Sequence, residues 1–139
     1  MRNIARLILL VVILFSLCAG IIACKSETPE PSEEDKVRVY SDPATEAALQ
    51  GLSENDLAKY IQYGNDDFKA AVTQEILDAS AAQINSQLGA YESKEFLSIE
   101  EQEAYIIVHY KATYAKGETG VRMVFDRDQL VAGQWFEQL

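Results

Sequence analysis

Between residues 44 and 88 apolar positions return every three or four residues, and from 91 to 136 they alternate with polar ones. The change of period at Gly89 predicts helices followed by strands. Ser41-Asp42-Pro43 opens the helical half, with Asp42 as the cap and Pro43 in the first turn, and Gly51 is a natural stop. Ser53-Glu54-Asn55-Asp56 has capping-box spacing for a second helix, whose face is Leu57, Tyr60 and Ile61 and which ends at Gly64. Asn65 or Asp66 starts a third around Phe68 and Val72. Thr73 restarts it, after which Ile76, Leu77, Ser80, Ala81, Ile84 and Leu88 keep the helical period.

Strands are expected over 91–99, 103–115, 121–126 and 130–136. In the second, Ala104, Ile106, Val108, Tyr110, Ala112 and Tyr114 form one face, the core face, and Tyr105, Ile107, His109, Lys111 and Thr113 the other. Lys116-Gly117-Glu118-Thr119-Gly120 and the segment 126–129 supply turn chemistry. Helices followed by consecutive antiparallel strands indicate an α+β domain, with N-terminal helices filling the concavity of a curved four-stranded antiparallel sheet.

The N-terminal pattern differs from all of this. Arg2 and Arg6 precede an uncharged apolar run, 7–23, that closes on Ile21-Ile22-Ala23-Cys24. A basic start, an apolar middle and a small residue before the cut make an export signal. The cysteine directly after Ala23 resembles the lipobox of prokaryotic lipoproteins, which implies lipidation of Cys24 and an extracytoplasmic, membrane-anchored address. The alternative is an uncleaved transmembrane anchor, since 7–23 lies at the short end of the roughly 17–25 apolar residues a spanning helix needs. From Lys25 to Lys36 there is no apolar residue, and 24–40 reads as a lipidated cysteine followed by a disordered acidic tether of Pro, Ser and Glu. The expected organisation is therefore signal 1–23, tether 24–40 and a single domain 41–139.

Charge and cysteine content narrow the function. Removal of 1–23 takes away Arg2 and Arg6 and no acid, so the formal charge goes from -10 to -12, and no basic run follows Arg6. Nucleic acid, which needs a basic patch, is excluded as a partner. Of the 2 cysteines Cys18 lies in the signal, so Cys24 is the one left and no disulfide forms within a mature molecule.

Leu88-Gly89-Ala90-Tyr91 leading into the first strand, and Val124-Phe125-Asp126-Arg127-Asp128 followed by Gly133-Gln134-Trp135-Phe136, resemble the domain of unknown function 3887 family. The likeness spans 44–136. It implies a cystatin-like or nuclear-transport-factor-2-like cone fold and carries no catalytic residues to transfer. Asp128-Gln129 stands where such hairpins commonly have Asp-Gly. Cone-shaped relatives include isomerases and dehydratases with a His or Asp in the cavity, which makes His109, the 1 histidine of the chain, the candidate general acid or base.

No Gly-x-Ser-x-Gly, phosphate-binding glycine loop or Cys-His pair occurs, and no cofactor is called for. Asp126-Arg127-Asp128 begins like a calcium loop and fails at Leu130 and Val131, while Asp66, Asp67, Glu75 and Asp78 sit near helix starts, where acids suit the macrodipole without an ion. No metal site is assigned. Tyr105, Ile107, His109 and Trp135 are the candidate binding residues, for a small apolar ligand, an envelope protein or a second copy of the chain in a homodimer. A non-catalytic binding module, a cavity enzyme using His109 and a self-associating structural domain are the three functional classes in play.

Overall fold

The computed structural model describes residues 30–139. The signal 1–23, Cys24 and the tether up to residue 29 lie outside them. Residues Pro31–Leu139 form one compact unit. It opens with α1 (Glu33–Glu54), started by a capping box in which Ser32 Oγ accepts from Asp35 N and the Asp35 carboxylate accepts from Ser32 N. Lys36 pairs with Glu33 at 2.5 Å, and Arg38 lies 3.7 Å from Glu34. The expected boundary at residue 41 is thus corrected: the acids at 33–35 form the first turn of a helix, where they suit its dipole, instead of a tether. With no apolar residue in that turn, only local capping and ion pairs hold it, which is why hydrophobic periodicity passed it over.

The helix also runs through both of its expected ends. Pro43 lies inside α1 and leaves the carbonyl of Val39, a residue 78 % exposed, without its usual helical donor. Gly51 does not stop the helix. It is a close-approach glycine, since a Cβ there would stand 2.5 Å from Tyr60 N. The true end is Asn55, left-handed at φ 58°, whose N–H returns to Gly51 O and Leu52 O.

Three shorter helices follow, each started by a side-chain cap. Asp56 accepts from Lys59 N for α2 (Leu57–Tyr60), Asn65 from Phe68 N for α3 (Asp66–Ala71), and Thr73 from Ile76 N for α4 (Gln74–Gln87). The last two caps are those expected.

The strands β1 (Tyr91–Gln102), β2 (Tyr105–Tyr114), β3 (Gly117–Phe125) and β4 (Val131–Glu137) form a curved antiparallel meander in the order β1-β2-β3-β4. β3 begins earlier than expected. Ala115 and Lys116 alone make the β2–β3 turn, held by bonds from Ala115 N to Ala90 O and Lys116 N to Leu88 O, so 117–120 are strand. At the β3–β4 hairpin the Asp126 carboxylate accepts from Asp128 N and Leu130 N, and Gln129 takes φ 63°, the conformation an Asp-Gly turn would have given to glycine.

The helices cover one face of this sheet. Ala44, Ala48 and Leu49 of α1 pack on Val108, Tyr110, Ala112, Tyr114, Val121, Met123 and Phe125, which confirms the expected core face of β2. At about 1.5–3 kcal/mol for each large apolar side chain buried, this cluster holds the domain together. A smaller one, Leu52, Leu77 and Ala81 with Tyr60, Ile84 and Phe136, fastens α4 to the C-terminal half of α1. Among the described residues no helix is long and apolar enough to cross a membrane.

Candidate functional site

The polar groups beneath the helices fall into two sets, one at each end of the interface between α1 and the sheet. At the first, the Tyr110 hydroxyl, carried on the inner face of β2, donates to Asp42 Oδ1 at 2.9 Å. Ser41 Oγ lies 2.8 Å away, which leaves its hydroxyl as donor to the phenol oxygen. Lys94 Nζ from β1 approaches Asp42 Oδ1 at 3.2 Å above the Tyr110 ring, and Arg38 closes on Oδ2 at 3.2 Å from one helical turn away. Burial raises the Asp42 carboxyl pKa, but the Tyr110 bond, Lys94 and Arg38 outweigh it and hold the group below the usual 3.8. Burial first, then the Asp42 charge, pushes the Tyr110 phenol far up. Ser41, Asp42, Tyr110, Lys94 and Arg38 thus fasten helix to sheet, while the Thr45 hydroxyl, buried beside Tyr110, has no hydrogen-bond partner.

At the other end a groove of about 460 Å³ lies between α4 and the β3–β4 side of the sheet. Leu52, Tyr60, Ile84, Leu88 and Phe136 give it apolar walls, and Gln83, Gln87, Glu118, Thr119 and Gln134 give it polar groups. Neither Nε2 nor Oε1 of Gln134 has a partner in the protein although both atoms are buried, and the buried Tyr114 hydroxyl nearby in the core also lacks one. Burial pushes the Tyr60 phenol up to about 12. It does the same to Tyr114, with a contribution from Tyr60. Both therefore stay neutral around pH 7 and act as poor acids.

A β-bulge decides why Gln134 faces inward. The register shifts between Val124 and Phe125, after which Gln134 pairs with Met123 and Phe136 with Val121 on the core face. Trp135, opposite Arg122, turns outward. Simple alternation could not show this, and an amide between Gly133 and Trp135 looks solvated in sequence. The one available signal was the phase slip itself, Val131 and Phe136 being apolar five positions apart.

The residues singled out from sequence lie on the outer face of the sheet, away from the helices. Tyr105 is exposed, and Ile107 is only 7 % exposed, which leaves it little surface for a partner. The Trp135 ring covers Gly133, where a Cβ would collide with it, stacks on Arg122 at 4.7 Å and borders the groove. His109 stands between two carboxylates, with Nδ1 3.4 Å from Glu137 Oε2 and Nε2 3.9 Å from Glu100 Oε2. These acids come from β4 and β1, and sequence reading found neither. Glu137 reaches His109 across Gly120, which has no side chain to block it. A depression of about 300 Å³ adjoins His109, separate from the groove. Among the described residues no three His, Cys, Asp or Glu side chains are grouped to hold a metal ion. The Asp126 carboxylate is occupied by its turn and by Asn65 Nδ2, and Asp78 by Gln74 and Asn55.

Fold and groove define an α+β domain whose helices line one face of a curved sheet and leave a cleft at its β4 side. Residues 45–133 match the family described as protein of unknown function (DUF3887), and the chain belongs to that family. Two solved structures are similar at low identity. One is the NMR structure of a protein from Ruminococcus gnavus ATCC 29149, at 15% identity and TM-score 0.50 over 77% of this chain and 93% of that one. The other is the crystal structure of an NTF-2 like protein of unknown function from Burkholderia xenovorans LB400, at 18% identity and TM-score 0.41 over 76% and 86%. The first supports the fold alone. No curated protein matches the chain.

Proposed function

We propose that this protein is an exported lipoprotein, tethered through Cys24 outside the cytoplasm, whose domain is a non-catalytic binding module holding a small ligand in the groove between α4 and the β3–β4 side of the sheet. The observation that carries the reading is the groove itself, about 460 Å³ with apolar walls from Leu52, Tyr60, Ile84, Leu88 and Phe136 and polar groups from Gln83, Gln87, Glu118, Thr119 and Gln134. A concave, largely apolar cleft with a few convergent polar groups is the usual form of a small-ligand site. Phenols at Tyr60 and Tyr114 that remain neutral favour holding over catalysis. Two acyl or alkyl chains on Cys24 would anchor the protein without help from the domain.

Native mass spectrometry of the full chain extracted from its own membranes tests both halves. The expected result is an N-terminal cysteine carrying the lipid mass and a retained small molecule that is lost in Phe136→Ala. A full-length, unlipidated N terminus would overturn the anchoring, and a ligand-free protein whose groove binds nothing added back would overturn the binding module.

A further inference from the structure

We infer that the groove takes a short stretch of extended polypeptide, which adds to β4 as a further strand of the sheet. This inference rests on reading the groove as a binding site and names what enters it. β4 is an edge strand, paired with β3 alone along 133–137. The groove runs along that edge, since Gln134 and Phe136 of the inner face and Trp135 of the outer face all line it, as do the neighbours Glu118 and Thr119 of β3. Successive residues of a strand point to opposite faces, so they meet in one cleft only where the sheet ends.

The backbone along this edge is unpaired. Ala115 and Lys116 alone make the β2–β3 turn, so Tyr114 and Gly117 close it as a hydrogen-bonded pair, and the direction of the bonds then alternates along β3. Gly120, Arg122 and Val124 are the residues that bond to β4, opposite Glu137, Trp135 and Gly133. The N–H and C=O groups of Gln134 and Phe136 therefore point away from β3, and among the described residues neither has a backbone partner on that side. Val131 shows what such groups do when a strand is at hand. Its N–H donates to Tyr63 O at 2.8 Å and its C=O accepts from Asn65 N at 2.9 Å, a parallel bridge that the chain makes with itself and that stops short of Gln134.

The walls set what the added strand carries. Leu52, Tyr60, Ile84 and Leu88 stand on the inner side of the edge, so a side chain pointing that way is apolar, while its neighbours on the other face lie beside Trp135 and solvent. Glu118 is the charged group of the lining and no Lys, Arg or His joins it, so a terminal carboxylate finds no counter-charge. The occupant is thus an internal stretch of a longer chain, with its ends outside the groove.

The test uses the full chain in lipid nanodiscs and Trp135, the 1 tryptophan of the sequence, as a fluorescent reporter at the groove's border. A pool of pentapeptides of Ala, Val, Leu, Thr and Lys, capped at both ends, is screened, and the tightest binder is remade with N-methyl groups on its central residues, which removes their N–H donors. Saturable binding that weakens at least about tenfold on N-methylation is expected, with slowed hydrogen exchange at the Gln134 and Phe136 amides. Gln134→Pro removes an N–H that the ladder to β3 does not use, a place where an edge strand accepts proline, so it should abolish binding and retain the circular dichroism of the parent. Equal binding of the N-methylated peptide, or binding that leaves exchange at Gln134 and Phe136 unchanged, would overturn the inference and leave a general apolar groove, so the binding module would survive. A dimer in which those amides are already protected would overturn it in favour of a second copy of the chain. Failure of the whole pool would overturn the inference alone if the mass spectrum holds a retained small molecule, and both readings if it holds none. Should Gln134→Pro fail to fold, the N-methyl comparison on the unaltered chain still decides.

Discussion

The two ends of the α1–sheet interface place similar chemistry in opposite circumstances. Around Asp42, a phenol, a hydroxyl, a carboxylate and two cations satisfy one another within 3.2 Å. Around Gln134, an amide and a tyrosine hydroxyl are buried without partners beside an open groove. A completed network spends its hydrogen-bonding capacity on the fold and has none left for a ligand. An incomplete one costs stability. The ends also differ in space, since the groove of about 460 Å³ lies at the Gln134 end.

The largest effect should come from Gly51→Val, which attacks the groove end through its backbone. Its Cβ would meet Tyr60 N at 2.5 Å, so α2 and the Tyr60 wall must shift, at about 3 kcal/mol, the upper part of the range for overpacking. Chemical denaturation should show the loss, and undiminished stability would mean that α2 is free to move. At the other end Asp42→Ala leaves Lys94 and Tyr110 without their acceptor. Breaking a fully buried pair costs about 3–5 kcal/mol, and the 30 % exposure of the Asp42 side chain lowers the expectation to about 2. Gln134→Leu has the opposite sign. Removing two unsatisfied buried polar atoms at nearly constant volume should stabilise the ligand-free protein by about 1 kcal/mol, seen as a higher melting temperature. A destabilised Gln134→Leu would show that water or protein already satisfies the amide and would erase the contrast between the two ends.

The smallest effects are in pH. Because the folded pKa of Asp42 is depressed, its contribution is present above the ordinary value of 3.8 and disappears as pH falls through the lower folded value. Acid melting curves of the parent and Asp42→Asn should therefore converge below pH 3.8. Tyr60 and Tyr114 are raised, so their contribution is present below the ordinary 10.0 and is lost as pH climbs toward about 12. Absorbance titration should find one late-ionising phenol fewer in Tyr60→Phe than in the parent, where Tyr91 and Tyr110 are raised as well. Normal ionisation of Tyr60 and Tyr114 near the ordinary 10.0 would mean that the groove end is open to water.

Much of the fold was legible because its signals are local. Thr73 and Asn65 cap the helices expected of them, and the alternation through Val108, Tyr110, Ala112 and Tyr114 marked the core face. What escaped is non-local. Asp42 looks like a helix cap in sequence and is a mid-helix partner of Lys94 and Tyr110, residues 52 and 68 positions away. Glu100 and Glu137 reach His109 only through strand register. Gln134 became a groove residue through a single bulged position in β4.

The sequence by itself determined the order of helices and strands, the inner face of β2 and the family, since capping and side-chain period are properties of neighbouring residues. Only the tertiary structure decided which polar groups find partners. Hydrogen-bond satisfaction depends on what register and packing bring within about 3 Å, and that distance is set by chain segments far apart in order, as Gln134 shows on one side of the domain and Asp42 on the other.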